Sequence, residues 1–440
     1  MKKFDQWRKN NISLYNTIQV FMGKAFAMLF VIALDAVIAK YLGVSGYAEW
    51  SFFMSIATII FNISWFGINS AGKVYIARNI GEKQKQYFNA TLFLRIVISG
   101  IFVVLMLLVI APVMIKLGIG GNYEHFSALL YLGSILLFFN GWSDFAKSMC
   151  QGQSEFGNLL LITIIEYGGY FFFSFLFLNA FGSIYALIAG YIVTGVSEML
   201  FSIFLLQRKG LVVNRKSLNK HSVQEIFYYS VPLVATCMGE LVLMEMDTVM
   251  MGILSTDVQI SMYALAKNLC QKATQINLSF IIAVIATFAL IDKKNVKAKF
   301  KLFMKYQLVN AFIILLVVSF IGLGSPLYIQ ILYGEDFMEA VGIIRILLIY
   351  YVLETVSGFY TFFLDYQKKG WIRSFAFIIV IILDFILNYC WIPKYGAMGA
   401  GIATICSIIP YVVIVIFSGL RIFKKIADGE EDTNEKRKRI

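Results

Sequence analysis

Apolar residues along this chain fall in long runs that end at charges, glycines and polar turns, not in the alternating or one-faced patterns of water-soluble elements. The runs lie at about 17–39, 49–72, 89–115, 126–146, 157–178, 182–206, 226–254, 261–290, 303–323, 340–364, 372–392 and 397–420. A helix needs about 20 apolar residues to cross the hydrocarbon core. The pattern therefore predicts an all-α polytopic membrane protein of about 12 transmembrane helices. The first run follows MKKFDQWRKN and shows no small-residue cleavage site, so it is expected to remain as the first span and not to be removed as a signal peptide.

Composition agrees, with 59% hydrophobic residues, 15% charged and a mean hydropathy of +0.76. The net charge of +12 could suggest nucleic acid, but position decides otherwise. If the amino terminus is cytoplasmic, only Lys40, Lys116 and Lys394 of the 38 basic residues fall in outer loops. Five more, Lys24, Arg95, Lys267, Lys272 and Arg345, lie within spans, and the remainder crowd the inner loops and the tail. That asymmetry places both termini in the cytoplasm and makes the bilayer, not nucleic acid, the partner. The chain then reads as a six-helix bundle over 1–206, a basic cytoplasmic linker over 207–224, a second six-helix bundle over 225–422 and a charged cytoplasmic tail over 423–440.

The two halves share a weak internal repeat. Asp35, Val37 and Leu42 align with Asp247, Val249 and Leu254, and a small insertion later Tyr47 meets Tyr263. Six spans separate the copies, so both halves take the same orientation, related by an axis along the membrane normal. At the second offset the stripe Ser51, Ser55, Thr58 of span 2 falls on Lys267, Gln271, Thr274 of span 8. Residues at i, i+4 and i+7 share one helix face. Asn62 and Asn69 prolong the span 2 stripe, which lines water or a neighbouring helix.

Spans 7 and 8 carry Glu240, Glu245, Asp247, Lys267 and Lys272. An ionised group facing lipid at mid-depth costs about 3 kcal/mol on insertion scales. These side chains are therefore expected to face protein or water, as one wall of a hydrated cationic cavity. Lys24 and Asp35, eleven residues apart, share a face of span 1. Asp384 and Asn388 stand at i, i+4 on span 11 and could join Glu240 as oxygen donors for a small cation, with a structural hydrogen bond as the alternative. Asp35 and Asp247 lie near the outer ends of their spans, where an interfacial position is the competing reading. Arg95 and Arg345 lie nearer membrane edges, where snorkelling competes with substrate binding. Glu166, Glu198 and Glu354 read as single intramembrane acids.

Other chemistry finds little support. GINSAGK, residues 67–73, comes close to a phosphate-binding loop, but Val74 stands where a Ser or Thr is needed and no strand precedes it. The two histidines lie at loops or span edges without a hydrolase motif, the five cysteines form no ligand cluster, and no outer loop is long enough for a catalytic domain. No enzyme, cofactor or metal is expected.

Several stretches resemble a known family. They are GINSAGKVYIAR after span 2; Tyr229, Ser230 and Pro232, then MEMDTVMMGIL, in span 7; LYIQILYGEDF before span 10; and NYCWIPKYGAMGAGIATICS between spans 11 and 12. The most specific piece is Ile392, Pro393, Tyr395, Gly396, Gly399 and Ala400. This pattern is similar to the Wzx-type O-antigen and capsule flippases of the multidrug/oligosaccharidyl-lipid/polysaccharide exporter superfamily. The resemblance implies two six-helix bundles around a central cavity of alternating access in a bacterial cytoplasmic membrane. The implied cargo is an undecaprenyl-pyrophosphate-linked oligosaccharide moved to the outer leaflet, with a polymerase and other polysaccharide-assembly proteins as partners.

A pyrophosphate in a low-dielectric cavity needs fixed cations. On this reading Lys24, Lys267, Lys272, Gln271, Arg95 and Arg345 hold substrate; Glu240, Asp384, Asn388, Asp35 and Asp247 couple H+ or Na+; and Ser51, Ser55, Thr58, Asn62 and Thr274 line the cavity. The alternatives are a cation-coupled drug or metabolite antiporter of the same superfamily, and a membrane enzyme or scaffold of polysaccharide assembly.

Overall fold

Helix is the only way a single apolar run can satisfy its own backbone inside lipid, and the apolar runs follow that rule among the described residues. The computed structural model describes residues 12–120, 123–214, 217–288, 291, 294–367 and 369–428, without the side chains at 12–14, 232–244, 273, 275–277, 279, 282–283 and 286. The amino-terminal MKKFDQWRKN, the tail from 429 and the side chain of Glu240 lie outside the described residues. Among those described, eight helices are long and apolar enough to cross a membrane. Their outward surfaces carry large apolar side chains such as Leu108, Phe320 and Leu323, which suit lipid and not water. This is a multi-pass membrane protein.

The chain divides into two compact units, Met1–Leu241 and Val242–Ile440. The division falls inside a helix, after the basic stretch 207–224. In the first unit α1 (Ile12–Trp65) breaks at Gly43, whose φ is 65°. It is followed by α2 (Ile68–Arg78), α3 (Glu82–Leu105), a π-helical turn over Met106–Ile110, and α4 (Ala111–Lys116). Next come α5 (Phe126–Gly152), α6 (Phe156–Phe181) and α7 (Ile184–Arg208). Helix α6 packs on α1 and α7, and α5 packs on α2, α3 and α7. Helix α8 (Lys220–Leu254) begins against the same unit. Ile226 is buried with Ile68, Ala71 and Ala90, and Tyr87 donates to Glu225 at 2.7 Å.

The second unit contains the end of α8, then α9 (Asp257–Ile285), α10 (Val296–Leu332), α11 (Ala340–Tyr366) and α12 (Gly370–Asp428). Helix α11 packs against α9, α10 and α12. A core of Phe288, Phe303, Phe359, Phe363 and Phe423 joins them, with Phe363 and Phe423 stacked at 4.4 Å.

Two glycines explain motifs noted in the sequence. Gly396 breaks α12 with φ 56°, and a Cβ there would lie 2.5 Å from Gln259 Oε1, which accepts from the Ala397 N–H at 2.9 Å. The family-like pattern over 392–400 thus builds a tight turn between two long helical arms. A non-glycine in the left-handed region costs about 1–2 kcal/mol, and the close contact adds to it. Gly396→Val is expected to lower the thermal unfolding midpoint of the detergent-purified protein. Gly72, in the stretch that mimics a phosphate loop, sits in mid-helix with its Cβ position 2.5 Å from Thr91. It serves close helix packing.

Candidate functional site

The second unit gathers polar side chains from three helices. Helix α8 brings Asp247, α9 brings Tyr263, and the two arms of α12 bring Asp384 with Asn388 and Thr404 with Ser407; all six are buried. Asp247 Oδ2 accepts from the Tyr263 hydroxyl and, at 2.8 Å, from Thr404 Oγ1. Asn388 Nδ2 donates to Asp247 Oδ1 at 2.7 Å and to Asp384 Oδ2 at 3.0 Å. Ser407 Oγ donates to Asp384 Oδ1 at 3.0 Å. One amide therefore links two carboxylates, and its own Oδ1 is buried with no hydrogen-bond partner among the described residues. Neither carboxylate forms an ion pair among the described residues. Two buried acids without a counter-charge among the described residues favour binding a proton or a small cation through their oxygens.

The i, i+4 spacing of Asp384 and Asn388 was readable in the sequence, but their meeting with Asp247 is a product of helix packing. Tyr263, Thr404 and Ser407 were not singled out as site residues. The repeat alignment of Tyr47 with Tyr263 carried the signal for the first. It is matched in the structure, since the Tyr47 hydroxyl donates to both oxygens of Asp35 at 3.0 Å, as Tyr263 donates to Asp247.

Beside this cluster Lys267 Nζ pairs with Glu245 Oε2 at 2.7 Å and donates to Thr248 at 2.9 Å. Gln271 and Thr274 continue the face half-buried, Lys272 is half-buried off that face, and Thr274 donates to Glu354 at 3.3 Å. Lys24 is exposed on α1, and Arg345 is exposed on α11 with its Nε 3.5 Å from the Gly322 carbonyl. Arg95 is not exposed as a snorkelling side chain would be. It is 2% exposed, packed on Gly141, and donates to the Ser64 carbonyl at 2.9 Å. Ser51 and Ser55 are buried and Thr58 and Asn62 half-buried; Asn62 donates back to the Thr58 carbonyl. Asn69 belongs to α2 and donates to Asp144 at 2.6 Å.

Residues 13–291 match the model of a family described as polysaccharide biosynthesis protein. The chain belongs to this family. A curated relative, the probable low-salt glycan biosynthesis flippase Agl15 of Haloferax volcanii, is 25% identical over 382 residues, which are 84% of this chain and 75% of that protein. The fold of this family member is also similar to solved structures. One is an inward-facing multidrug resistance MATE family transporter of the MOP superfamily, with TM-score 0.76 and 14% identity, covering 94% of this chain and 99% of that one. Another is the lipid II flippase MurJ in an inward closed conformation, with TM-score 0.68 and 17% identity, covering 94% and 90%. At those identities the structures show a shared fold, while the family match separates this member from fold alone.

Proposed function

We propose that this protein is a flippase that moves an anionic lipid-linked oligosaccharide from the inner to the outer leaflet by alternating access. The observation that carries the reading is the family match over 13–291, supported by a glycan flippase among the curated relatives. The proposed topology is twelve spans, taking the arms of α1 and α12 on either side of Gly43 and Gly396 as separate crossings, with both termini cytoplasmic. The one-sided distribution of Lys and Arg supports it.

Coupling is assigned to the Asp247–Asn388–Asp384 cluster, which would take up H+ or Na+; Asp35 with Tyr47 is its counterpart in the first unit. The pyrophosphate is assigned to Lys24, Lys267 and Lys272, with Gln271 and Arg345 as further contacts. Lys267 is held by Glu245 at rest, so a phosphate would exchange with a carboxylate and would not meet a bare ammonium. The undecaprenyl carrier and a bacterial cytoplasmic membrane are part of the proposal, and so is hand-over to a polymerase; the curated relative is archaeal. Removing the gene from its host should make lipid-linked oligosaccharide accumulate on the cytoplasmic leaflet while its synthesis continues. Unchanged surface glycan would overturn the reading, and a drug-sensitivity phenotype alone would favour the antiporter.

A further inference from the structure

Three side chains that the sequence scatters over three helices meet inside the first unit. Lys147 of α5 lies 2.5 Å from Glu166 Oε2 of α6, and Ser143 donates to Glu166 Oε1 at 2.9 Å. Glu198 of α7 joins them: Trp142, next to Ser143, donates to Ser202, one turn beyond Glu198, at 2.8 Å, and Glu198 feels the charges of Glu166 and Lys147. Glu166 is 5% exposed and Glu198 1%, so both carboxyls are out of solvent. Glu198 Oε1 is buried with no hydrogen-bond partner among the described residues. The other titratable groups facing the cluster are Tyr167 and Tyr170 of α6, with Lys147 5.6 Å from the Tyr167 ring centre. Tyr191 of α7 stacks on Tyr170 at 4.4 Å and also feels the charge of Asp35 of α1.

Fully ionised, two carboxylates and one ammonium leave one negative charge unbalanced. A buried unpaired charge is costly, and the protein can remove it only by binding one positive charge. Metal cations such as calcium take six or more oxygens, whereas Lys147 and Ser143 face the two oxygens of Glu166, and Glu198 Oε1 is the buried oxygen of the cluster with neither a hydrogen bond nor an ion pair among the described residues. A single acceptor suits a proton. The Lys147 side chain is 21% exposed, so the cluster has one accessible edge although both acids are covered.

We propose that Glu198 is a proton-binding site of the first unit, charge-balanced by Glu166 and Lys147 and separate from the Asp247–Asn388–Asp384 cluster. In the step, the Glu198 carboxylate takes one proton to become the neutral acid while the Lys147–Glu166 pair stays ionised; release reverses it. This assignment does not depend on what the protein transports.

The test is pH-difference infrared spectroscopy of the full chain in lipid nanodiscs. The wild type is expected to gain a carboxylic-acid carbonyl band on acidification. Glu198→Gln should delete it, and Glu198→Asp should shift it. Lys147→Gln, which leaves two acids without an ammonium, should about double it. A wild type with no such band overturns the proposal whether or not the variants fold, as does a band that is the same in wild type, Glu198→Gln and Lys147→Gln.

Discussion

Asp247→Asn is expected to reduce glycan export about tenfold or more while leaving the helices in place. Asp247 accepts hydrogen bonds from Tyr263, Thr404 and Asn388, all in the interior of the second unit. An amide in its place can keep only some of those bonds, because its own N–H groups must point at donors. Each orphaned buried donor costs about 1–3 kcal/mol, and every 1.4 kcal/mol is a factor of ten in an equilibrium. The change also removes one of the two charges that would attract a coupling cation. Surface glycan should be read by lectin binding in cells that carry only the variant, beside an immunoblot of its membrane level. Full export at normal level would show that the cluster only holds helices together. Thr404→Val, which removes a single donor, should have a smaller effect in the same direction.

Lys267→Ala is expected to act first on stability, because it strands Glu245. Removing one partner of a buried ion pair costs about 3–5 kcal/mol. The two side chains are 9% and 16% exposed, which puts this pair toward the lower end of that range. The membrane level of Lys267→Ala should fall. Adding Glu245→Gln should restore it, since the carboxylate stranded by the first change is then a neutral amide. Export then separates the two roles of Lys267. If the ammonium meets the substrate phosphate, the double variant is present at normal level but does not export. Export that returns together with the level would make Lys267 a structural partner of Glu245 alone.

The helical character of the chain was legible because an apolar run of membrane length has one solution, and Gly43 and Gly396 broke α1 and α12 in gaps that polar and glycine residues already marked. The i, i+4 pair Asp384 and Asn388 was legible for a similar reason: one helix fixes their relation. Contacts between helices were not. Glu166 and Glu198 read as isolated acids and Lys147 as an inner-loop base, because nothing in their spacing tells which faces of α5, α6 and α7 turn toward one another. Glu245 as the partner of Lys267, and Arg95 buried under Gly141 instead of snorkelling, depend on the same packing. Thr404 and Ser407 were hidden among the small residues of a stretch that was read only for its family resemblance.

The most direct measurement places the purified protein in lipid vesicles with a fluorescent polyprenyl-pyrophosphate-linked oligosaccharide and adds a quencher that cannot cross the bilayer. Vesicles with the wild-type protein should expose the inner-leaflet pool to quenching, and empty vesicles or those with Asp247→Asn should expose only the outer pool. An inner pool that stays protected with the wild type, under both proton and sodium gradients, would contradict a flippase.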